Sequence, residues 1–374
     1  MCNLLNKINK LHRNPNKQQG AALMVMLVIV VVGATTLLLS SLTSSALKNE
    51  RDQNTNDALV LAKNALIGYS IKSNTPGQLP CPENTALIGS PTEGTARGTC
   101  TLPAIGRLPW RTLGIGPIHD ASGELLWYAI SPGFRTPPIN SNTPAQLTVD
   151  GISNRAAAII FSAGYPINGQ SRPTPTSGTP PDVTQYLDLS NNDGDNTFAT
   201  TGPADTFNDR LLIISHTDIF QLAELRVAKE LQNTFSIYMA NNLNRYPNPA
   251  NLNCTTSANC NSDTSQCRGW IPITANLDQP HWILPSWFAS NEWYRIIYYS
   301  ASSTRLASIP TGCNISISSS ATQALFIMSG TPNISQTRPS NNLLDYLEDT
   351  ENTNLDDAYV MPTTSSNDHL YVLP

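Results

Sequence analysis

The stretch Asp188–Asp195 reads Asp-Leu-Ser-Asn-Asn-Asp-Gly-Asp. Its side-chain oxygens at Asp188, Asn192, Asp193 and Asp195 are hard ligands of the kind Ca2+ takes. The spacing departs from an EF-hand loop, because Leu189 stands where the first ligand belongs, and a solvated turn is the competing reading. A second acidic stretch carries Asp349, Glu351, Asn352, Asn354, Asp356 and Asp357. Beyond this possible Ca2+, no motif requires a cofactor. Catalytic signatures are missing: His119, His216, His281 and His369 sit in unrelated settings, and no serine is framed as G-x-S-x-G. There is no P-loop or dinucleotide fingerprint. The chain therefore reads as a non-enzyme. Trp270, Trp282, Trp287 and Trp293 crowd together with Tyr294, Tyr298 and Tyr299. Exposed, they would make an adhesive or carbohydrate-binding face; buried, they would fill the core of a small disulfide-rich domain.

Six cysteines follow the leader residue Cys2: Cys81, Cys100, Cys254, Cys260, Cys267 and Cys313. An even number, with no C-x-x-C pair, points to disulfides in an oxidising compartment rather than to zinc. Charged residues are 13% of the chain and the formal net charge is −5, which becomes −9 once the leader's four cations are removed. No basic patch is visible after residue 50, so nucleic acid is not an expected partner.

The elements that must position these residues are written twice. Gly164-Tyr165-Pro166 with Gln170-Ser171-Arg172-Pro173 returns, offset by 166, as Gly330-Thr331-Pro332 with Gln336-Thr337-Arg338-Pro339. Collinear matches extend this: Gly106-Arg107-Leu108-Pro109 over Gly269-Trp270-Ile271-Pro272, Tyr186-Leu187 over Tyr346-Leu347, and Asn208-Asp209 over Asn367-Asp368. The recurrence of Arg172 and Arg338 suggests a structural role such as bonding a turn carbonyl. Each copy opens with a helix. Leu59, Ala62, Leu66 and Tyr69 step by three and four in the first, and Phe220, Ala223, Val227, Leu231, Phe235 and Tyr238 in the second. Asp218 with Gln221 gives a capping signal. Short apolar runs then read as strands: 125–130, 157–161 and 211–214, against 294–299, 324–328 and 370–373. The expected fold class is α+β. By the duplication, if Cys81 pairs with Cys100, then Cys254 pairs with Cys267 and Cys260 with Cys313. Four cysteines nonetheless allow three connectivities.

The N-terminus bears on location. Lys7, Lys10, Arg13 and Lys17 precede Gly20, and the apolar run Ala21–Leu39 would span ~28 Å as a helix, close to a bilayer's hydrocarbon core. A plain membrane anchor and a cleaved secretory signal are alternatives. Basic leader, glycine and long apolar helix together resemble the type IV prepilin N-terminal motif. The order Ala62–Tyr69, Leu79–Pro82, Gly106–Trp110 and Leu126–Ser131 also resembles a group of bacterial prepilin-like proteins. The resemblance implies cleavage between Gly20 and Ala21 by a prepilin peptidase and methylation of the new terminus. It also implies a single-pass inner-membrane location with a periplasmic C-terminal region, and later assembly into a filament at the cell surface. Partners would be the peptidase, other pilin or pseudopilin subunits and the inner-membrane assembly platform. The usual glutamate at the fifth mature position is replaced by Val25, which suits a minor or tip subunit of a type IV pilus or type II secretion filament. The layout expected is thus a leader over 1–20, a long N-terminal membrane and filament-core helix over 21–55, and two tandem pilin-like units over 56–216 and 217–374. Each unit would pack a helix on a small antiparallel sheet. Display of an adhesin or binding module is the alternative role, and a static membrane-anchored periplasmic protein the other.

Overall fold

The apolar run after Gly20, a polar stretch and the stepped residues Leu59, Ala62, Leu66 and Tyr69 all fall in one long helix, α1 (Gln19–Lys72). The structure, a computed structural model, describes residues 19–167, 169–203, 205–275, 281–308, 310 and 312–374, with backbone alone at 19–22, 33 and 36–44. The leader cations and Cys2 lie outside the described residues. Gly20 and Ala21 belong to α1 as helical backbone. The chain divides into two units, 1–54 and 55–374.

In the first unit, Leu23 to Val32 are all exposed, with no polar side among them. The membrane-anchor expectation is corrected here. Among the described residues no helix is long and apolar enough to cross a membrane. The described apolar run from Leu23 to Val32 rises only ~15 Å, about half a hydrocarbon core. The long N-terminal membrane helix, the transmembrane segment and the single-pass inner-membrane placement fall with it.

Residues 55–374 form a single compact unit, so the two copies are halves of one body. The first copy contains β1 (Ala104–Arg107), β2 (Trp127–Ile130), β3 (Leu147–Val149), β4 (Ile152–Ala156), β5 (Ala158–Ser162), β6 (Thr197–Phe198) and β7 (Arg210–Ile214). After α2 (His216–Asn241) the second copy contributes β8 (Arg268–Trp270), α3 (Ser286–Ser290), β9 (Ile297–Ala301), β10 (Ser316–Ile317), β11 (Ser320–Ala321), β12 (Ala324–Met328), β13 (Ala358–Tyr359) and β14 (His369–Leu373). The duplication holds strand for strand. One antiparallel sheet has the order β1-β2-β5-β7 and the other β8-β9-β12-β14. Each copy adds a small sheet, β4-β3-β6 or β11-β10-β13, in which one pair is antiparallel and one parallel.

Packing explains the sequence pattern. Strands β5, β9 and β12 are buried at every residue, so they read as unbroken apolar runs without alternation. In β5, Ala158 and Ile160 face the helix-covered core, while Ile159 and Phe161 face a second cluster with Trp127, Leu147 and Phe198. One core runs through both copies, joining Leu59, Ala62 and Leu66 of α1 to Phe220, Val227, Leu231 and Phe235 of α2. The cap of α2 lies three residues earlier than expected. Ser215 is the N-cap, and Asp218 is the third residue, closing a capping box. Two ties hold α2 to α1. Lys63 Nζ meets Asp218 Oδ2 at 2.8 Å, and Arg226 donates to the carbonyls of Ile71 and Ser73 at the end of α1.

Candidate functional site

Each site residue named from sequence has a definite place. Asp188 is buried and accepts from the backbone N–H of Asn208 (2.8 Å) and from Gln170 Nε2 (2.9 Å). Asn192 donates to the Leu187 carbonyl, while Asp193 and Asp195 accept from the N–H groups of Asp195 and Thr197. Asp188 thus ties the segment to residues 170 and 208, while the bonds of the other three shape the local turn. Among the described residues the His, Cys, Asp and Glu side chains close enough to share an ion are Cys267, Cys313 and Asp357, not the 188–195 carboxylates. The two sulfurs of that group are themselves joined in a disulfide.

Cys81 pairs with Cys100 across Cα atoms 5.9 Å apart. The second-copy pairing is corrected: Cys254 joins Cys260, and Cys267 joins Cys313. The physical reason is local. Cys254 and Cys260 flank a tight turn in which Asn259 Oδ1 accepts from Thr255 and Thr256 N–H groups, and this brings their Cα atoms to 5.0 Å. The 81–100 loop of the first copy holds no cysteine between its ends, so the duplication could not reveal this pairing. All four tryptophans of the second copy are buried, as are Tyr294, Tyr298 and Tyr299. They are core and leave no aromatic face at the surface.

The two repeated arginines occupy twin cages. Arg172 donates to the carbonyls of Ala163, Gly164, Gln185 and Tyr186 and to Gln170 Oε1. Arg338 does the same with Ser329, Gly330, Asp345, Tyr346 and Gln336 Oε1. Each guanidinium also lies over a ring, Tyr186 at 4.9 Å and Tyr346 at 5.0 Å. Gly164 and Gly330 open the same turn with φ of 58° and 47°, where a Cβ would strike Asn208 or Asn367.

Where the copies meet, a cleft of 380 Å³ forms between Asn140, Asn142 and Gln146 on one side and Glu292, Arg295 and Arg338 on the other. A neighbouring cavity of 320 Å³ shares Asn142, Thr143 and Pro144 and reaches His216. Cross-copy bonds line this seam. Asn291 Oδ1 accepts from the N–H of Ile139 (2.8 Å), Asn140 Nδ2 donates to the Asn291 carbonyl (2.6 Å), and Arg338 Nη1 donates to Asn142 Oδ1 (3.2 Å). Behind it Ser141 Oγ donates to Glu224 Oε1 at 2.5 Å, and His369 Nδ1 lies 3.7 Å from Glu224 Oε2. Burial pushes Glu224 up to about 7, with Ser141 and Arg338 opposing it. Burial also holds His216 down to about 4, and raises Asp209 and its counterpart Asp368 to about 7. The seam is thus held by buried polar side chains drawn from both copies. Ser141 is itself buried and its hydroxyl is engaged by a carboxylate.

Sequence reasoning passed over Glu224, although a signal was there. It is the one charged residue on the buried face of α2, four residues after Phe220. Asp209 and Asp368 were visible only as one matched pair of the duplication. No family model, curated protein or solved structure matches this chain.

Proposed function

We propose that this chain is a non-catalytic minor pilin or pseudopilin-like subunit of a type IV filament system, occupying a rare or terminal position. The observation that carries the reading is α1. Within one helix, the ten residues Leu23–Val32 expose apolar side chains on every face, whereas Leu59, Ala62 and Leu66 bury one stripe in the globular core. A helix that is apolar all round needs partners, and the matching segments of neighbouring filament subunits are the partners proposed. The Gly20–Ala21 junction after a basic leader supplies the processing site, and the prepilin peptidase would be its enzyme. Val25, where bulk pilins carry a glutamate, favours a subunit that caps or primes over one that repeats. The duplicated body of 55–374 is large for a uniform fibre, which points the same way.

The test is the mass and N-terminal sequence of the protein recovered from cells with and without the peptidase. A terminus at Ala21 that depends on the peptidase is expected. A retained Met1, or a cut beyond Ala34, would overturn the proposal. The adhesin reading would have used the second copy's aromatic residues, and their burial removes its main support.

A further inference from the structure

The duplication provides an internal control: the same scaffold carries two sets of side chains, and a difference between them needs its own explanation. One such difference lies at the seam. In the first copy the caged Arg172 is neutralised by Glu124 at 3.4 Å, and Glu124 stands three residues before Trp127 of β2. Strand β2 pairs with β5 as β9 pairs with β12, which sets Trp127 over Tyr298. Three residues before Tyr298 stands Arg295, so the second copy has a guanidinium where the first has a carboxylate. Its caged arginine, Arg338, is retained, and both arginines line the 380 Å³ cleft between the copies. Among the described residues that line this cleft, Glu292 is the one carboxylate. Where Glu292 stands, the first copy has Ala121. Two guanidiniums against one carboxylate leave the cleft with surplus positive charge, in a chain whose formal net charge is −5.

The donors of the cleft are reachable and unspent. The Arg295 side chain is 16% exposed, and its contact with Glu292 is long, 3.8 Å from Nη1 to Oε2. Among the described residues no acceptor hydrogen-bonds the Arg295 guanidinium, and none of its nitrogens is sealed from water. Across the cleft stand two amides whose orientation is fixed. Asn142 Oδ1 accepts from Arg338 Nη1 (3.2 Å), and Gln146 Oε1 accepts from the Gly133 N–H (2.8 Å). Each amide is therefore left with its NH2 group as a donor. Asn142 is half-buried and Gln146 exposed, so neither group is shut away. A planar guanidinium and two amide donors suit a carboxylate, whose two oxygens accept several hydrogen bonds at once. A dianionic phosphate is disfavoured by the adjacent Glu292. The volume lies at the lower end of the ~300–1,000 Å³ of small-ligand pockets, and Pro138, Pro144 and Pro339 supply apolar walls.

We propose that this cleft binds a carboxylate, with Arg295 pairing to it in place of Glu292 and the NH2 groups of Asn142 and Gln146 donating to its oxygens. Arg338 adds charge and orients Asn142, but its own donors are spent on the carbonyls of its cage. The second copy supplies the charge and the first supplies the amides, so neither copy alone holds the site. It is independent of the filament reading.

The test is a titration of the full chain, labelled with 15N, reading the side-chain NH2 resonance of Gln146, which Gln146→Ala assigns by its disappearance. The probes are propionate, a blocked tripeptide with a central aspartate, the same peptide with a central asparagine, and inorganic phosphate. A saturable shift with at least one of the two carboxylates, and none with the asparagine peptide, is expected. Tighter binding of the aspartate peptide makes the ligand a side chain of a partner, and equal or tighter binding of propionate makes it a free acid; either upholds the site. Arg295→Glu, which imports the first copy's side chain, should weaken binding roughly tenfold or more. Glu292→Ala, which imports the first copy's alanine, should tighten it several-fold by removing the competing carboxylate. If Arg295→Glu does not fold, Glu292→Ala decides. No saturable response to either carboxylate overturns the proposal. So does a stronger response to phosphate, binding that survives Arg295→Glu undiminished, or binding that Glu292→Ala fails to tighten.

Discussion

The duplicated arginines show why a guanidinium, and not merely a cation, was kept in both copies. Five donors in a rigid plane can satisfy several carbonyls from one turn at once, which an ammonium cannot. Arg172→Lys should therefore lose most of what Arg172→Ala loses. Either should lower stability by roughly 3 kcal/mol or more, because several buried carbonyls lose a charged donor; urea unfolding midpoints measure this. A second expectation concerns protons. Asp209, Glu224 and Asp368 are raised to about 7 by burial, so between about pH 4 and 7 the folded chain holds protons that the unfolded chain releases. Stability then falls as pH rises through 7. His216, depressed to about 4 by burial, works the other way, contributing stability that is lost as pH falls from about 6.5 to 4. Three carboxyls oppose one imidazole, so the melting temperature should climb from pH 8 toward about pH 5. Glu224→Gln should flatten the profile, as calorimetry across that range would register. A melting temperature highest at pH 8 would contradict the assignment.

At the level of elements, the capping box of α2 offers a direct measurement. Ser215 accepts from the Asp218 N–H at 3.1 Å, while Asp218 Oδ2 accepts from the Ser215 N–H at 2.7 Å. Ser215→Ala should cost about 1 kcal/mol. Asp218→Asn should cost more than an ordinary cap, because Asp218 also holds Lys63 of α1; thermal melts of the two variants compare them. Much of this level was legible in the sequence. The stepping of Phe220 through Tyr238 identified the buried face of α2, and the apolar runs located β5, β12 and β14 within a residue or two. Strand β8 was not legible as a strand. At three residues it is too short to show a period, and its glycine sits where a Cβ would collide with the Ala250 carbonyl. The disulfides of the second copy were misread because Cys260 and Cys313 have no counterpart in the first copy, so the duplication could not say which partner each takes. The seam bonds were illegible for a related reason: Asn140, Asn291 and Glu224 are far apart in sequence, and no periodicity links them.

For the whole molecule, the question is whether a sequence written twice makes a fold that can be halved. The core says that it cannot. Phe220, on the second copy's helix, packs at 5.6 Å from Phe134 of the first and at 6.3 Å from Trp293 of the second. Gly77 of the first copy lies so close that even a Cβ there would touch the Phe220 ring. Polar ties follow the same seam, from Ser141–Glu224 to Asn140–Asn291 and Arg226–Ser73. Cutting between the copies would expose this apolar surface and take from Glu224 and Asn291 their cross-copy partners, a loss that no single half can recover. Residues 215–374 produced alone should therefore bind a hydrophobic dye, lack near-ultraviolet circular dichroism and melt without cooperativity. Residues 55–374 should keep a single cooperative transition, since the contacts described for the core begin at Thr55 and beyond. A separately folded second copy, with dispersed amide resonances and a sharp melt, would mean that the duplication kept two independent domains. The shared core would then be a docking surface between them.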